Sequence, residues 1–317
     1  MNIIGKRRVF LTFDVEDFIN ERSIKALHRI LEMLAKYELK AVFFITGHMA
    51  EKLVTYKETV DQLCSHQIGY HASSHSVRPT ILEYTDIQDY CEAVSESFKR
   101  ETSHVDPLTG KLDGRGGIHV LRDLFPNTQV KAFRAPDYCW SPPHLDALKA
   151  LGIQHDFSTK LFEEPTRYKG IVFHPYPSCH QWMGRHTNVQ FLRSFFSKRS
   201  IALNFHDWNF VNAKAWNDCY AFRNPEKLSP VDPRNPDEEK NLFLTFESFL
   251  REMQNLQKMG LIEVTSGLET VPTCPSIDRT KVKKTCAEIA SWYNRYYHYE
   301  PKYLCQHFRR FFQESWS

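Results

Sequence analysis

Two histidines four residues apart, His71 and His75, sit in the stretch His66-Gln67-Ile68-Gly69-Tyr70-His71-Ala72-Ser73-Ser74-His75-Ser76. On a helical turn this spacing brings both imidazoles to one side, within reach of one metal ion. Ile68-Gly69 lets the chain turn out of a strand, and the hydroxyls that follow can order the rings. Two neutral imidazoles and one carboxylate form a three-ligand site with room for water, the usual form of a catalytic zinc centre. A divalent metal held this way brings the pKa of its water towards ~7. Such a centre also requires a carboxylate ligand, a proton acceptor and a proton donor.

Candidates for each follow apolar runs. Asp14, Glu16 and Asp17 come directly after Leu11-Thr12-Phe13. Three carboxylates past an apolar strand repel one another unless a cation sits among them. Strand alternation puts Asp14 and Glu16 on one side, unless the chain already turns there. Arg134 follows Phe133, and its guanidinium in the strand-end layer can pair bidentately with a carboxylate. Pro136 stiffens the next turn and offers the backbone N–H of Asp137, beside Tyr138, to a substrate oxygen. His206 ends the run Ile201-Ala202-Leu203-Asn204-Phe205 and suits a proton donor. Asp156, after Ile153-Gln154-His155, is a strand-end carboxylate able to orient that histidine. Each has a plainer reading: solvated loop carboxylates, a surface arginine, a core histidine.

The elements that must position these residues alternate. Strand signals fall at Arg8–Phe13, Ala41–Ile45, Val130–Phe133, Ile153–His155, Ile171–His174, Ser200–Phe205 and Leu261–Thr265. Helical spacing fills Ser23–Tyr37 and Glu51–Ser65. This alternation predicts an α/β fold with a parallel sheet, and about seven or eight strands favour closure into a barrel with its site at the C-terminal strand ends. Ser103–Gly117 and Asn209–Asn241 read as long loops.

The 317 residues, 42% of them hydrophobic, suffice for a large core. A formal charge of +3 gives no global argument for nucleic acid. No run approaches the ~18 apolar residues of a membrane span, and no export signal is read at the start, so the expected location is cytoplasmic. The eight cysteines form no Cys-x-x-Cys pair, which argues against a cysteine zinc site and for reduced, mostly buried thiols. A catalytic domain is expected over 1–270. The remainder, 271–317, is rich in aromatics and Lys/Arg and is expected to form a helical extension packed on that domain. Sharper alternatives for it are peripheral membrane contact or a homo-oligomer interface.

Taken in order, the motifs resemble the polysaccharide deacetylase family, also called the NodB-homology or carbohydrate esterase 4 family. The resemblance covers roughly Arg8 to Leu268. It rests on the His66–His75 stretch, Phe133-Arg134-Ala135-Pro136, Asp156-Phe157-Ser158 and Leu203–His206. It implies a distorted (β/α) barrel of seven strands and metal-dependent removal of N- or O-acyl groups from sugars. By resemblance, Asp14 is the general base, held by Arg134. His71 and His75 are metal ligands. His206 is the general acid, tuned by Asp156, and Asp137 with Tyr138 stands on the substrate and oxyanion side. Many members carry two adjacent Asp residues where this chain has Asp14-Val15-Glu16-Asp17. This leaves Glu16 and Asp17 as the two choices for the carboxylate ligand; with the chain turning after Val15, Asp17 is expected, with Glu16 as the alternative. The expected metal is Zn2+. The expected substrate is an N-acylated amino sugar, most simply N-acetylated. Without an export signal, a small, nucleotide-linked or lipid-linked sugar is favoured over a polymer.

Overall fold

The computed structural model describes residues 6–159, 165–175, 179–180, 200–215, 228–268 and 279–313. In chain order the strands are β1 (Arg7–Val15), β2 (Ala41–Ile45), β3 (Gln67–Tyr70), β4 (His104–Val105), β5 (Leu112–Asp113), β6 (Ala132–Phe133), β7 (His155–Thr159), β8 (Thr166–Tyr168), β9 (Ile171–Pro175), β10 (Cys179–His180), β11 (Ser200–His206) and β12 (Ile262–Val264). The helices are α1 (Glu21–Lys36), α2 (Gly47–Leu53), α3 (Lys57–Leu63), α4 (Ile81–Thr85), α5 (Tyr90–Thr102), α6 (Ile118–Leu124), α7 (Pro142–Ala150), α8 (Trp208–Val211), α9 (Pro236–Lys258), α10 (Arg279–Tyr297) and α11 (Leu304–Gln313).

The main sheet runs β10-β11-β1-β2-β3-β6-β7-β9-β8, with β12 also paired to β1. From β11 to β9 neighbouring strands are parallel, and only β8 is antiparallel to its neighbour. The sheet curls into an incomplete barrel with helices around it, the α/β class expected. β1 lies near its centre. Its residues from Val9 to Val15 are all buried, because β11, β12 and β2 cover its edges and helices cover its outer face. Phe13 stacks on Phe43 of β2 at 4.9 Å and on Phe205 of β11 at 5.3 Å. These contacts lock the register Asp14↔His206 and Asp14↔Phe44, which decides what stands beside Asp14.

Several elements differ from expectation. The helix read over Glu51–Ser65 is two helices, α2 and α3. Thr46 caps α2 by accepting a hydrogen bond from the Met49 amide, so helix begins four residues earlier than the apolar pattern suggested. The stretch Asn209–Asn241 is not all loop. Asn235 accepts hydrogen bonds from the Asp237 and Glu238 amides, Pro236 starts α9, and Phe243, Phe246, Leu250 and Met253 face the core. Ser103–Gly117 contains the small antiparallel pair β4–β5. Of Cys64, Cys91, Cys139, Cys286 and Cys305, only Cys139 and Cys286 are buried, fewer than expected. All five are free thiols.

The boundary placed at 270/271 and the tail residue Trp316 lie outside the described residues. α10 and α11 nevertheless share the main core through Val282, Cys286, Ile289, Tyr293, Tyr297, Leu304, Phe308, Phe311 and Phe312. The Tyr168 hydroxyl donates to the carbonyls of Phe311 and Phe312, and Trp140 packs on Phe308 at 4.8 Å. Most of the aromatics that suggested a membrane or partner surface therefore point inward; Tyr296 is the exposed exception among them. No helix among the described residues is long and apolar enough to cross a membrane.

Candidate active site

Alternation along β1 carries Thr12, Asp14 and Glu16 to one face, and the parallel register brings Asn204 and His206 of β11 alongside. The loop after β3 brings His71 and His75. It is not a helical turn: Ala72 has φ +63°, a left-handed conformation that reverses the chain between the histidines. Gly47 lets helix α2 approach this loop. Its N–H donates to Ala72 O at 3.0 Å, and a Cβ there would lie 2.8 Å from Ser73 O.

Behind the loop lies a buried charge cluster absent from the sequence reading. Glu101 accepts from the Ser73 amide (2.8 Å), the Tyr70 hydroxyl (2.6 Å), Arg100 (2.6 Å) and His144 (2.9 Å). Arg100 also donates to Ser74 Oγ at 2.8 Å. Burial opposes the charge of Glu101, but Arg100 and His144 outweigh it and draw its pKa down to about 2. This cluster anchors Ser73 and Ser74, and so fixes where His75 stands.

Glu16, His71 and His75 converge, with ligand atoms all within 4.8 Å of one another. Glu16 Oε2 lies 3.2 Å from His71 Nε2 and 3.2 Å from His75 Nε2, and all three residues are buried. His71 Nδ1 is 2.7 Å from Arg134 O. A carbonyl only accepts, so Nδ1 carries the proton and a neutral ring turns the Nε2 lone pair towards Glu16. That lone pair and the Glu16 carboxylate face each other at a distance where both can ligate one cation. The second Glu16 oxygen is held by the Trp208 indole N–H at 2.8 Å. Two imidazoles, one carboxylate and ordered outer contacts fit a divalent ion such as Zn2+.

Asp17, the ligand expected ahead of Glu16, is not in this group. Its carboxylate accepts from Ser23 Oγ (2.5 Å), Asn20 N (3.0 Å), Asn20 Nδ2 (2.9 Å) and Asn212 Nδ2 (2.9 Å). The alternation of β1 persists through Glu16, so Asp17 points the other way and organises the start of α1.

Asp14 is paired as expected. Arg134 Nη1 donates to its Oδ1 at 2.7 Å, and Asn204 Nδ2 donates to its Oδ2 at 2.9 Å. His206 Nε2 lies 3.5 Å from that Oδ2. Burial works against the charge of Asp14, but Arg134, His71 and His206 outweigh it and hold the carboxylate well below its usual range. Burial lowers the pKa of His206, against the pull of Glu16 and Asp14.

Asp156 does not touch His206. Its carboxylate accepts from Ser158 N (2.9 Å) and Ser158 Oγ (2.8 Å), and Ser158 Oγ in turn accepts from Ala135 N. His206 Nδ1 has no hydrogen-bond partner among the described residues. Asp156 thus ties the end of β7 to the turn after Arg134. Burial raises its pKa to about 6, against the Ser158 bonds and the Arg134 charge. The shift is upward, so Asp156 favours folding fully below the unfolded value near 3.8, and this contribution is lost as pH rises through about 6. Asp156→Asn is expected to gain stability relative to the wild type between pH 4 and pH 8, by on the order of 3 kcal/mol. Urea unfolding of both proteins at the two pH values measures this; a gap that does not change with pH contradicts it.

Asp137 and Tyr138 are consecutive left-handed residues, φ +52° and +58°, in a 3-10 turn at the cavity edge. The Tyr138 amide already donates to Ala135 O, and its hydroxyl accepts from Asn204. The backbone and hydroxyl of Tyr138 are therefore engaged within the turn and with β11. The Asp137 carboxylate accepts from the Tyr297 hydroxyl at 3.0 Å.

A cavity of about 310 Å3 is lined by Asp14, Glu16, His75, His206, Asp137, Tyr138, Trp140 and Trp208 on the barrel side. Thr285, Glu288, Ile289 and Trp292 of α10 line it too. Sequence reasoning missed Thr12, Asn204 and Trp208, although the first two share the strand alternation of Asp14 and His206. No sequence signal marked the α10 face.

Residues 3–155 match the family model described as Polysaccharide deacetylase, the family that the motifs resemble. That portion of the chain carries Asp14, Glu16, His71, His75 and Arg134. No curated protein matches. Among solved structures, 4-alpha-glucanotransferase from Thermococcus litoralis is 12% identical, with a TM-score of 0.50 over 92% of this chain and 47% of that one. A family 4 carbohydrate esterase from Bacillus anthracis is 18% identical, with a TM-score of 0.35 over 78% of this chain and 77% of that one. A family 4 pseudoenzyme from the same organism is 12% identical, with a TM-score of 0.39 over 78% of this chain and 62% of that one. The glucanotransferase likeness concerns the fold alone, and a shared fold does not fix a reaction.

Proposed function

We propose that this protein is a metal-dependent hydrolase that removes an N-acyl group, acetyl foremost, from an amino sugar. The observation that carries the reading is the convergence of Glu16, His71 and His75 beside Asp14 and His206 on one cavity. A divalent cation held by the three would polarise the acyl carbonyl and acidify water next to it.

The chain's own residues would do the rest. Asp14, oriented by Arg134 and Asn204, takes the proton of the attacking water. The backbone N–H of Asp137 faces the acyl oxygen as it gains charge. His206 protonates the leaving nitrogen as the C–N bond breaks, so that a carboxylate and an amine depart. The partly exposed ring of Tyr138 suits a sugar ring.

Acetate release from N-acetylated amino sugars is expected from protein supplied with Zn2+, and it should fall to background after chelation. Equal release by chelated protein, or none with the metal across a broad acyl-sugar panel, argues against the reading.

A further inference from the structure

Helix α10 presents Thr285, Glu288, Ile289 and Trp292 at helical spacings of three and four, and all four border the cavity. We propose that this face is the specificity wall of the site. Trp292 is the platform for a sugar ring, and Glu288 accepts hydrogen bonds from the hydroxyl or ammonium groups of that sugar. The substrate is then a neutral or amine-bearing glycan rather than a sugar carried on phosphate. The inference rests on the deacylase reading above and narrows its substrate class.

The wall is built to hold its place. An adjacent stripe of α10, Cys286, Ile289, Tyr293 and Tyr297, is buried in the core. Tyr297 donates to Asp137, tying the helix to the turn at the cavity edge. Beyond α10, Asp86 accepts from the Tyr299 hydroxyl (2.7 Å), the Lys302 amide (2.7 Å) and the Tyr303 amide (2.5 Å). A site on an anchored helix positions side chains more accurately than one on a loop.

The chemistry of the face selects its occupant. Trp292 is half-buried and braced by Tyr296 at 4.6 Å and Tyr297 at 5.7 Å, which fixes the ring for stacking. The Glu288 side chain is 52% exposed and, among the described residues, pairs loosely with Lys284 at 3.9 Å. Such an exposed pair contributes little, so the carboxylate readily turns to a ligand. Asp14, Glu16 and Asp137 border the same cavity. Asp14 is balanced by Arg134 and Glu16 by the cation, while Glu288 and Asp137 add further negative charge at the cavity, which disfavours a phosphate diester and suits sugar hydroxyls. An amine already released by deacylation is attracted as well.

The test compares penta-N-acetylchitopentaose with UDP-N-acetylglucosamine, by acetate release and by calorimetric binding, using the full chain loaded with Zn2+. The wild type should prefer the pentamer. Glu288→Arg should shift the ratio of kcat/KM towards the nucleotide sugar by about tenfold or more. Trp292→Ala should raise KM about tenfold with kcat within about threefold, and Trp292→Phe should recover most of the loss. Melting curves check that each variant is folded. A wild-type preference for the nucleotide sugar, or a ratio unmoved by Glu288→Arg, overturns the wall. If the wild type turns over neither probe, the deacylase reading fails, and the binding constants of wild type and Glu288→Arg for the same two probes still decide the wall.

Discussion

Glu16→Gln is expected to lower affinity for a divalent cation by more than the ~10–100-fold that loss of an outer-shell partner costs, and to abolish acetate release. Asp17→Asn is expected to keep the metal. The contrast follows from geometry. Glu16 Oε2 stands 3.2 Å from both imidazole Nε2 atoms, whereas Asp17 serves Asn20, Ser23 and Asn212. Gln preserves the shape of Glu16 and its contact with the Trp208 indole, and removes only the charge that balances a cation. Asp17→Asn instead replaces an acceptor-only group with one that presents a donor to other donors. It should therefore cost stability, about 1–3 kcal/mol, and not metal. Metal content after gel filtration, read beside urea unfolding, separates the two effects. Metal retained by Glu16→Gln and lost from Asp17→Asn would return the ligand role to Asp17.

That choice shows where the sequence was legible. Strand alternation alone put Asp14 and Glu16 on one side, and the structure keeps them there. What favoured Asp17 was a turn assumed after Val15, and β1 holds its alternation one residue longer. The histidine pair was legible by spacing, but the backbone that joins them was not: Ala72 in a left-handed conformation does the work assigned to a helical turn. Arg134 reaching Asp14 was legible because both end parallel strands of one sheet. Asp156 beside His206 was expected on the same logic and is not found, because Ser158 two residues on captures its carboxylate.

Contacts between distant segments were beyond such reading. An amphipathic helix declares that it has a buried face but not what that face meets. α10 lies about half the chain away from Asp137, and nothing in its periodicity says that Tyr297 reaches that residue or that Glu288 and Trp292 border the same cavity. The Arg100–Glu101–His144 cluster was hidden for the same reason, since its members come from α5 and α7 and only packing unites them.

Arg134→Lys is expected to cut kcat by about 100-fold or more while leaving bound metal near the wild-type amount. The guanidinium is fully buried and divides its donors: Nη1 serves Asp14 and Asn204, each at 2.7 Å, and Nη2 serves Thr12 Oγ1 at 2.8 Å. It also lies over the Phe44 ring, 4.4 Å from the centroid. A lysine ammonium is a single point that cannot span this fork, so Asp14 and Asn204 lose their fixed orientation. The metal ligands are spared because His71 is held by the backbone carbonyl of Arg134, which the substitution retains. Arg134→Met goes further. It leaves Asp14 as a buried charge without its main partner, at a cost of about 3–5 kcal/mol in stability. The decisive readings are kcat, KM and metal content of the lysine variant, with unfolding midpoints for both. A lysine variant with kcat within about fivefold of wild type would mean that Asp14 does not need the fork, and would count against the proposed role of a held Asp14 as base.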